Sequence, residues 1–299
     1  MSGIKVIYIG GYSRSGSTIL DILLSNHAQI VGTGELCYLY DDSKNADRTC
    51  TCGQPYPKCN FWGDYLSSND IDHASQIIKE VEGRSNFYRL LDGNIDRKLL
   101  DKYTVIQEGL YRYIAEKSGC SIIVDSSKTT RDMVGRPLAL SRYTSLDLKM
   151  IHLLKNGKAT TQSYVSKGRN WAMEGHGGND MLQGMRSIFG WKLANKLALQ
   201  TGKILDGAYL PLKYEDFVEN PEISLRRLGD FVDLDFESLN KIVSSKQVIA
   251  PHHHVGGNRL RLKSNLSLKV GKPIAPDLDI FHSFAFNIIA GQLSKELGY

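Results

Sequence analysis

Residues 10 to 18 read GGYSRSGST, and their types suit the capture of a phosphate-like anion. Gly11 and Gly16 take the two glycine positions of the phosphate-cradling pattern G-x-x-x-x-G-K-[ST], and Thr18 takes its last position. Ser17 stands where that pattern has lysine, and the cation, Arg14, comes three residues earlier. An apolar run precedes the loop and an amphipathic stretch follows it, so its backbone N–H groups, from Arg14 to Thr18, sit at a helix start. There the helix adds partial positive charge. Gly16 permits close approach of the ligand, Ser17 and Thr18 supply hydroxyl donors, and Arg14 presents a fork for two oxygens. A glycine-serine turn without a ligand is the plain alternative.

Loop chemistry of this kind needs a sheet whose strand ends converge. Four apolar runs bounded by turn residues predict strands at Lys5–Gly10, Ser121–Asp125, Leu148–Leu154 and Tyr209–Tyr214. Their continuous Ile, Val and Leu content fits a parallel sheet covered on both faces. Helical spacing follows over Thr18–Ser25, Met181–Gln200, Pro221–Val232 and Ile280–Leu297, with Pro221 at a helix start. The second of these is expected to be largely buried. Strands alternating with helices predict an α/β fold of three layers, a mainly parallel sheet flanked by helices. We expect a single domain over 1–299, with a polar, loop-rich, cysteine-containing insertion at about 37–97 and a glycine-rich flap at about 166–180.

The chain has 299 residues, long enough for a sizeable core. A net charge of +5 suits an anionic ligand but falls short of the basic stripe of a nucleic-acid binder. No apolar run approaches the length of a membrane span, so we expect a cytoplasmic protein without a membrane partner. Five cysteines are too few for a disulfide scaffold. In CTCGQPYPKC, three thiols fall within a short loop, yet the spacing is not the usual Cys-x2-Cys pair. Packing or an adventitious disulfide is therefore expected for Cys37, Cys50, Cys52 and Cys59, and no metal. The run His252-His253-His254 is read as a loop with at most one functional histidine, since adjacent side chains diverge.

The core Arg14-Ser15-Gly16-Ser17-Thr18 resembles the 5′-phosphosulfate loop of the sulfotransferases that use PAPS (3′-phosphoadenosine 5′-phosphosulfate), where [KR]-S-G-[ST]-[ST] follows the first strand. That resemblance implies a P-loop-like sulfotransferase fold that works without magnesium, with PAPS as co-substrate and PAP as product. It also gives meaning to other residues. A cation at a central strand end and a serine eight residues on hold the 3′-phosphate in the family, and Lys155 and Ser163 match that spacing. Lysine replaces the usual arginine there, a point charge instead of a fork, and Lys158 lies between. Tyr214 of LKYEDF matches a tyrosine that contacts adenine. A late Gly-Gly-Asn loop that folds over the 3′-phosphate is matched by Gly257, Asn258 and Arg259, with Arg261 beyond.

Sulfuryl transfer requires an aligned acceptor, a base for its proton, and cations where charge grows on the leaving phosphate. Arg14 and the loop amides suit the leaving group. Lys128, in VDSSK after the second predicted strand, lies at the converging strand ends and resembles a transition-state lysine of the tyrosylprotein sulfotransferases. Glu35 in GTGEL matches the base of that group by its distance from the loop. His27 and His152 are poorer bases, since each fits a core or supporting role. The resulting expectation is a transferase moving the sulfuryl group from PAPS to a hydroxyl, or less favourably an amine, of a small molecule. A P-loop kinase or NTPase is the alternative, with IIVD as its metal-holding strand, and a non-catalytic nucleotide-binding protein is a third. The oligomeric state, a homodimer included, is open at this stage.

Overall fold

The computed structural model describes residues 3–130, 133–165, 180–263 and 265–299. Five strands form one all-parallel sheet, β1 (Lys5–Gly10), β2 (Ile30–Gly32), β3 (Ile122–Asp125), β4 (Asp147–Leu154) and β5 (Tyr209–Lys213), in the order β2-β3-β1-β4-β5. β1 is the centre, with Val6 in register with Ile123 on one side and Leu148 on the other. The strand period of two sorts its side chains: Val6 and Tyr8 enter one core, Ile7 and Ile9 the other, all fully buried. The three-layer reading therefore holds. β2 escapes the sequence pattern because its three residues are too few to show a period.

The helices are α1 (Ser17–Leu24), then α2 (Leu39–Ser43), α3 (Gly63–Ser67), α4 (Ile71–Glu82), α5 (Phe87–Leu91) and α6 (Arg97–Ser118) before β3. They continue with α7 (Arg136–Tyr143), α8 (Gly157–Val165), α9 (Asp180–Leu205), α10 (Tyr214–Glu219), α11 (Pro221–Val232), α12 (Glu237–Ser244) and α13 (Ile280–Glu296). Tyr214, expected as the end of the last strand, is instead the first residue of α10. The segment 37–97 is not loop-rich. Its Tyr56, Trp62, Ile78 and Val81 pack with Val6 and Ile123 in the core on one sheet face. Asp70 and Asp96 cap α4 and α6 by accepting from His73 N and Leu99 N. Nor is α9 largely buried: Leu182 is 54% exposed, because one side of the helix turns away from the core. The flap expected at about 166–180 falls outside the described residues, apart from the backbone at the start of α9. No described helix is long and apolar enough to cross a membrane.

Candidate active site

β1, β3 and β4 end on the same side of the sheet, and a cavity of about 770 Å³ opens there. An open parallel sheet places its ligand crevice outside the carboxyl ends of its strands. The loop after β1 forms one rim. Gly11 and Gly16 hold φ of 116° and 96°, and Arg14 itself has φ 66°. A β-carbon at Gly16 would stand 2.4 Å from the Tyr214 ring, so glycine is required both for the backbone turn and for the aromatic packed upon it. Ser15 is buried with its hydroxyl oxygen unpartnered, behind the loop. Arg14, Gly16, Ser17 and Thr18 border the cavity.

The second rim comes from the end of β4 and from α8. Lys155 and Ser163 both border the cavity, with the Lys155 ammonium 4.6 Å from the centroid of the Tyr214 ring. Tyr214 is held from behind: Glu215 accepts from Asn156 N at 2.9 Å and from Tyr299 Oη at 2.8 Å, fastening the turn that carries Lys155. Arg14 sits over the Tyr164 ring at 5.3 Å. Each cation therefore lies against an aromatic face, which orients it by the ring quadrupole and keeps its stem out of water.

Glu35 and Lys128 form the third side. Both are nearly buried, at 9% and 7% exposure, and the Lys128 Nζ donates to Glu35 Oε1. Lys128 has φ 69°, so among the described residues two of the five non-glycine positions in the left-handed region are Arg14 and Lys128. Backbone strain of this kind persists only where surroundings impose it, and it gathers at functional sites. The imposing contacts are visible: Lys128 N donates to Ile9 O at 3.1 Å, and Tyr8 Oη donates to Lys128 O. Glu35 is fixed by its own backbone, whose N–H donates to Val255 O at 2.8 Å. Gly34 precedes it with φ 75°, where a β-carbon would meet Val255 O at 2.3 Å.

A buried pair under this corner was not legible in the sequence. Asp21 of α1 accepts from Gly34 N at 3.1 Å and Ser126 Oγ at 2.7 Å, and its other oxygen lies 3.0 Å from His254 Nε2. One carboxylate thus ties α1, the Glu35 loop, the β3 end and the histidine run. Its signal would have been an aspartate in the apolar helix STILDILL.

The late loop also reaches the cavity. Gly257 and Asn258 border it, and Asn258 N donates to Thr18 Oγ1 at 3.5 Å. Arg259 is exposed and is not among the bordering residues. Arg261 turns inward, donating to Thr49 O at 3.1 Å, and Lys158 is likewise outside the cavity. His152 is a core residue between Tyr209 Oη (2.6 Å) and Asn195 Oδ1 (2.8 Å), and burial pushes its pKa down to about 4. His27 accepts from Gln29 N through Nδ1 at 3.3 Å and lies against Asp235 O and the Phe236 ring, outside the cavity.

The cavity also carries groups that sequence reasoning did not single out: Asp42, Arg48 and Arg84 from the 37–97 segment, and Arg186 from α9. Burial raises the Asp42 carboxyl to about 6, with Arg48 opposing. The aspartate of IIVD is spent elsewhere. Asp125 accepts from Arg136 Nε (2.9 Å) and Tyr111 Oη (2.7 Å) beneath the sheet end, away from the cavity.

Sheet order, loop and cavity together define the sulfotransferase fold. Among solved structures, the chain is similar to the sulfotransferase domain from the curacin biosynthetic pathway, with 19% identity, 97% of each chain covered and a TM-score of 0.55. It is also similar to the sulfotransferase domain from the Synechococcus PCC 7002 olefin synthase, at 17% identity, covering 100% of this chain and 96% of that one, with a TM-score of 0.51. The sulfotransferase STF9 from Mycobacterium avium matches over 99% of this chain and 77% of its own, at 12% identity and a TM-score of 0.50. No family model matches the chain, and no curated protein matches it in sequence.

Proposed function

We propose that the protein transfers a sulfuryl group from PAPS to a hydroxyl of a small-molecule acceptor. The observation that carries this reading is the convergence of three separate sets on one cavity: the Arg14–Thr18 loop, the Lys155–Ser163–Tyr214 rim, and the Glu35–Lys128 pair. The first two sets are cationic or hydroxylic and suit the two phosphate ends of the donor, and Tyr214 offers a ring face for its base. The pair brings to the same cavity, in mutual contact, a carboxylate for the acceptor's proton and an ammonium for the charge that develops in the displacement.

In this reading Glu35 accepts the acceptor's hydroxyl proton while the new oxygen–sulfur bond forms. The bond from sulfur to the bridging phosphate oxygen breaks, and its electron pair stays on that oxygen. Arg14, the loop N–H groups and Lys128 receive the resulting charge, which leaves with PAP. Arg48, Arg84, Arg186 and Asp42 also line the cavity, and in this reading they supply a polar, mainly cationic wall for the acceptor. The kinase alternative has less support, because Asp125 is committed to Arg136 and Ser17 stands in the lysine position.

Titration calorimetry with PAP and with magnesium-ATP tests the donor. We expect PAP to bind without magnesium, and Arg14→Ala and Ser163→Ala each to weaken it about tenfold or more, the loss of one charge-assisted hydrogen bond. Preference for magnesium-ATP would sink the reading. PAP binding without sulfuryl transfer to any of a panel of hydroxylated acceptors would favour a nucleotide-binding protein instead.

A further inference from the structure

The cysteine-rich loop and the histidine run are far apart in sequence, and the fold brings them together. Cys50, Cys52, Cys59 and His253 offer one ligand atom each, all within 4.8 Å of one another. His253 Nδ1 lies 3.5 Å from Cys50 Sγ and 3.2 Å from Cys59 Sγ, and Cys52 Sγ lies 3.6 Å from Cys59 Sγ. Zinc–sulfur bonds of about 2.3 Å and zinc–nitrogen bonds of about 2.0 Å imply tetrahedral edges of roughly 3.8 Å between sulfurs and roughly 3.5 Å between sulfur and nitrogen. These three separations fall near those edges, and all six pairs of ligand atoms lie within 4.8 Å. They are too long for a disulfide, and all five cysteines are free thiols.

The surroundings hold the ligands in place. The His253 ring stacks on Phe61 at 5.1 Å and 8°, and Trp62 Nε1 donates to His253 O at 2.8 Å. Thr51, between the first two cysteines, donates through Oγ1 to His252 O and accepts from His254 N at 3.1 Å. Backbone N–H groups of Phe61 and Trp62 face Cys59 Sγ, and that of Cys52 faces Cys50 Sγ. Such outer contacts orient metal ligands and supply donors to thiolate sulfur. The turn from Cys50 to Gln54 closes with Cys50 N donating to Gln54 O at 2.9 Å, and Gly53 has φ 84°.

We propose that Cys50, Cys52, Cys59 and His253 bind one zinc ion in a closed tetrahedral Cys3His site. Three thiolates and one imidazole select a soft, tetrahedral ion, and four protein ligands leave no open position for chemistry. Binding releases the three thiol protons, and His253 donates the lone pair of Nδ1 with its proton on Nε2. The ion joins the 37–97 segment to the strap from Pro251 to Asn258. That strap pairs Val255 with Gly34, accepts from Glu35 N through Val255 O, and delivers Gly257 and Asn258 to the cavity. None of the four ligands borders the cavity. The site is therefore a structural clasp, and its assignment does not depend on which reaction the cavity performs.

Elemental analysis of the full-length, tag-free protein, expressed in zinc-replete medium and purified without chelator, tests this directly. One zinc per chain is expected, retained by Cys120→Ser and lost from Cys59→Ser and His253→Ala. Because those variants can fail to fold, two measurements use the unaltered protein. Titration with a thiol-binding mercurial should release the zinc in step with three thiols. Cobalt exchanged for zinc should show the intense visible bands of a tetrahedral thiolate site, and loss of the metal to a strong chelator should lower the melting temperature. Absence of stoichiometric zinc in the unaltered protein overturns the proposal. So does a mapped disulfide among Cys50, Cys52 and Cys59, or full zinc retention in both ligand variants.

Discussion

Two buried cation–carboxylate clusters grow from the same strand end, and they have opposite uses. Within four residues of β3 and its exit, Asp125 turns beneath the sheet to Arg136, and Lys128 turns outward to Glu35. Arg136 is fully enclosed. Its Nη1 meets Glu82 Oε1 at 2.6 Å, its Nε meets Asp125 Oδ2 at 2.9 Å, and Tyr103 and Tyr111 donate to the same two carboxylates. This network staples α4, α6 and α7 to β3, and none of Arg136, Glu82 and Asp125 borders the active-site cavity. Burial lifts Glu82 to about 7, although Arg136 pulls the other way. A search for active sites by shifted titration alone would therefore have stopped at Glu82. What separates the two clusters is access: Glu35 and Lys128 border open space, and Lys128 carries the strained backbone.

The largest effect should come from the enclosed cluster. Arg136→Ala leaves two buried carboxylates without their cation, and breaking such a pair costs about 3–5 kcal/mol. We expect severe loss of soluble, folded protein, read by thermal melting. An unchanged melting temperature would mean that the network is relaxed or hydrated, and the contrast with Glu35 would collapse.

Glu35→Gln should do the reverse. It keeps the shape and an acceptor for Lys128, so melting temperature and PAP affinity should stay near those of the unaltered protein. Sulfuryl transfer should fall by roughly 10²–10⁴-fold, the range for a lost general base. Near-normal transfer would remove Glu35 from that role and direct attention to Asp42, the other carboxyl on the cavity wall.

The contrast also explains what was legible beforehand. Phosphate capture depends on backbone N–H groups in a short continuous loop, so Arg14 to Thr18 can be read locally, as can the apolar runs of β1, β3, β4 and β5. The spacing of Lys155 to Ser163 survives for the same reason, since a strand end and one helix fix it. Asp21 with His254, and Arg136 with Glu82, are contacts across more than 50 residues, and nothing local announces them. The 37–97 segment misleads in composition: most of its polar residues lie on the outer faces of short helices, while Tyr40, Trp62, Tyr65, Ile78 and Val81 fill the core and Glu82 is buried against Arg136. The capping aspartates Asp70 and Asp96 were the available signal there. The neighbour of the cysteine loop is equally silent in the local sequence, because His253, which lies against Cys50 and Cys59, is 194 residues from Cys59. Arg261 misleads by type: a basic residue near a glycine loop turned inward to a carbonyl.

The smallest effect concerns Asp42, which lies between the two clusters in character: largely buried like Glu82, yet on the cavity wall like Glu35. Its folded carboxyl titrates near 6, against an ordinary value of 3.8, so the folded protein holds a proton there that the unfolded chain has released. Stability from this group is present below pH 3.8 and declines as pH rises toward 6. Above 6 both states are ionised and the slope vanishes. Glu82 contributes the same sign from 4.5 to about 7, and His152, lowered to about 4 from 6.5, contributes the opposite sign. Both cancel in the difference between the unaltered protein and Asp42→Asn. That difference should fall by less than about 1.4 kcal/mol per pH unit, the limit for one proton, because at any pH the folded and unfolded states differ by less than one bound proton at this group. Chemical denaturation at pH 4, 5, 6 and 7 measures it. A flat difference would mean that Asp42 is hydrated through the cavity mouth and belongs with the accessible groups rather than with the enclosed ones.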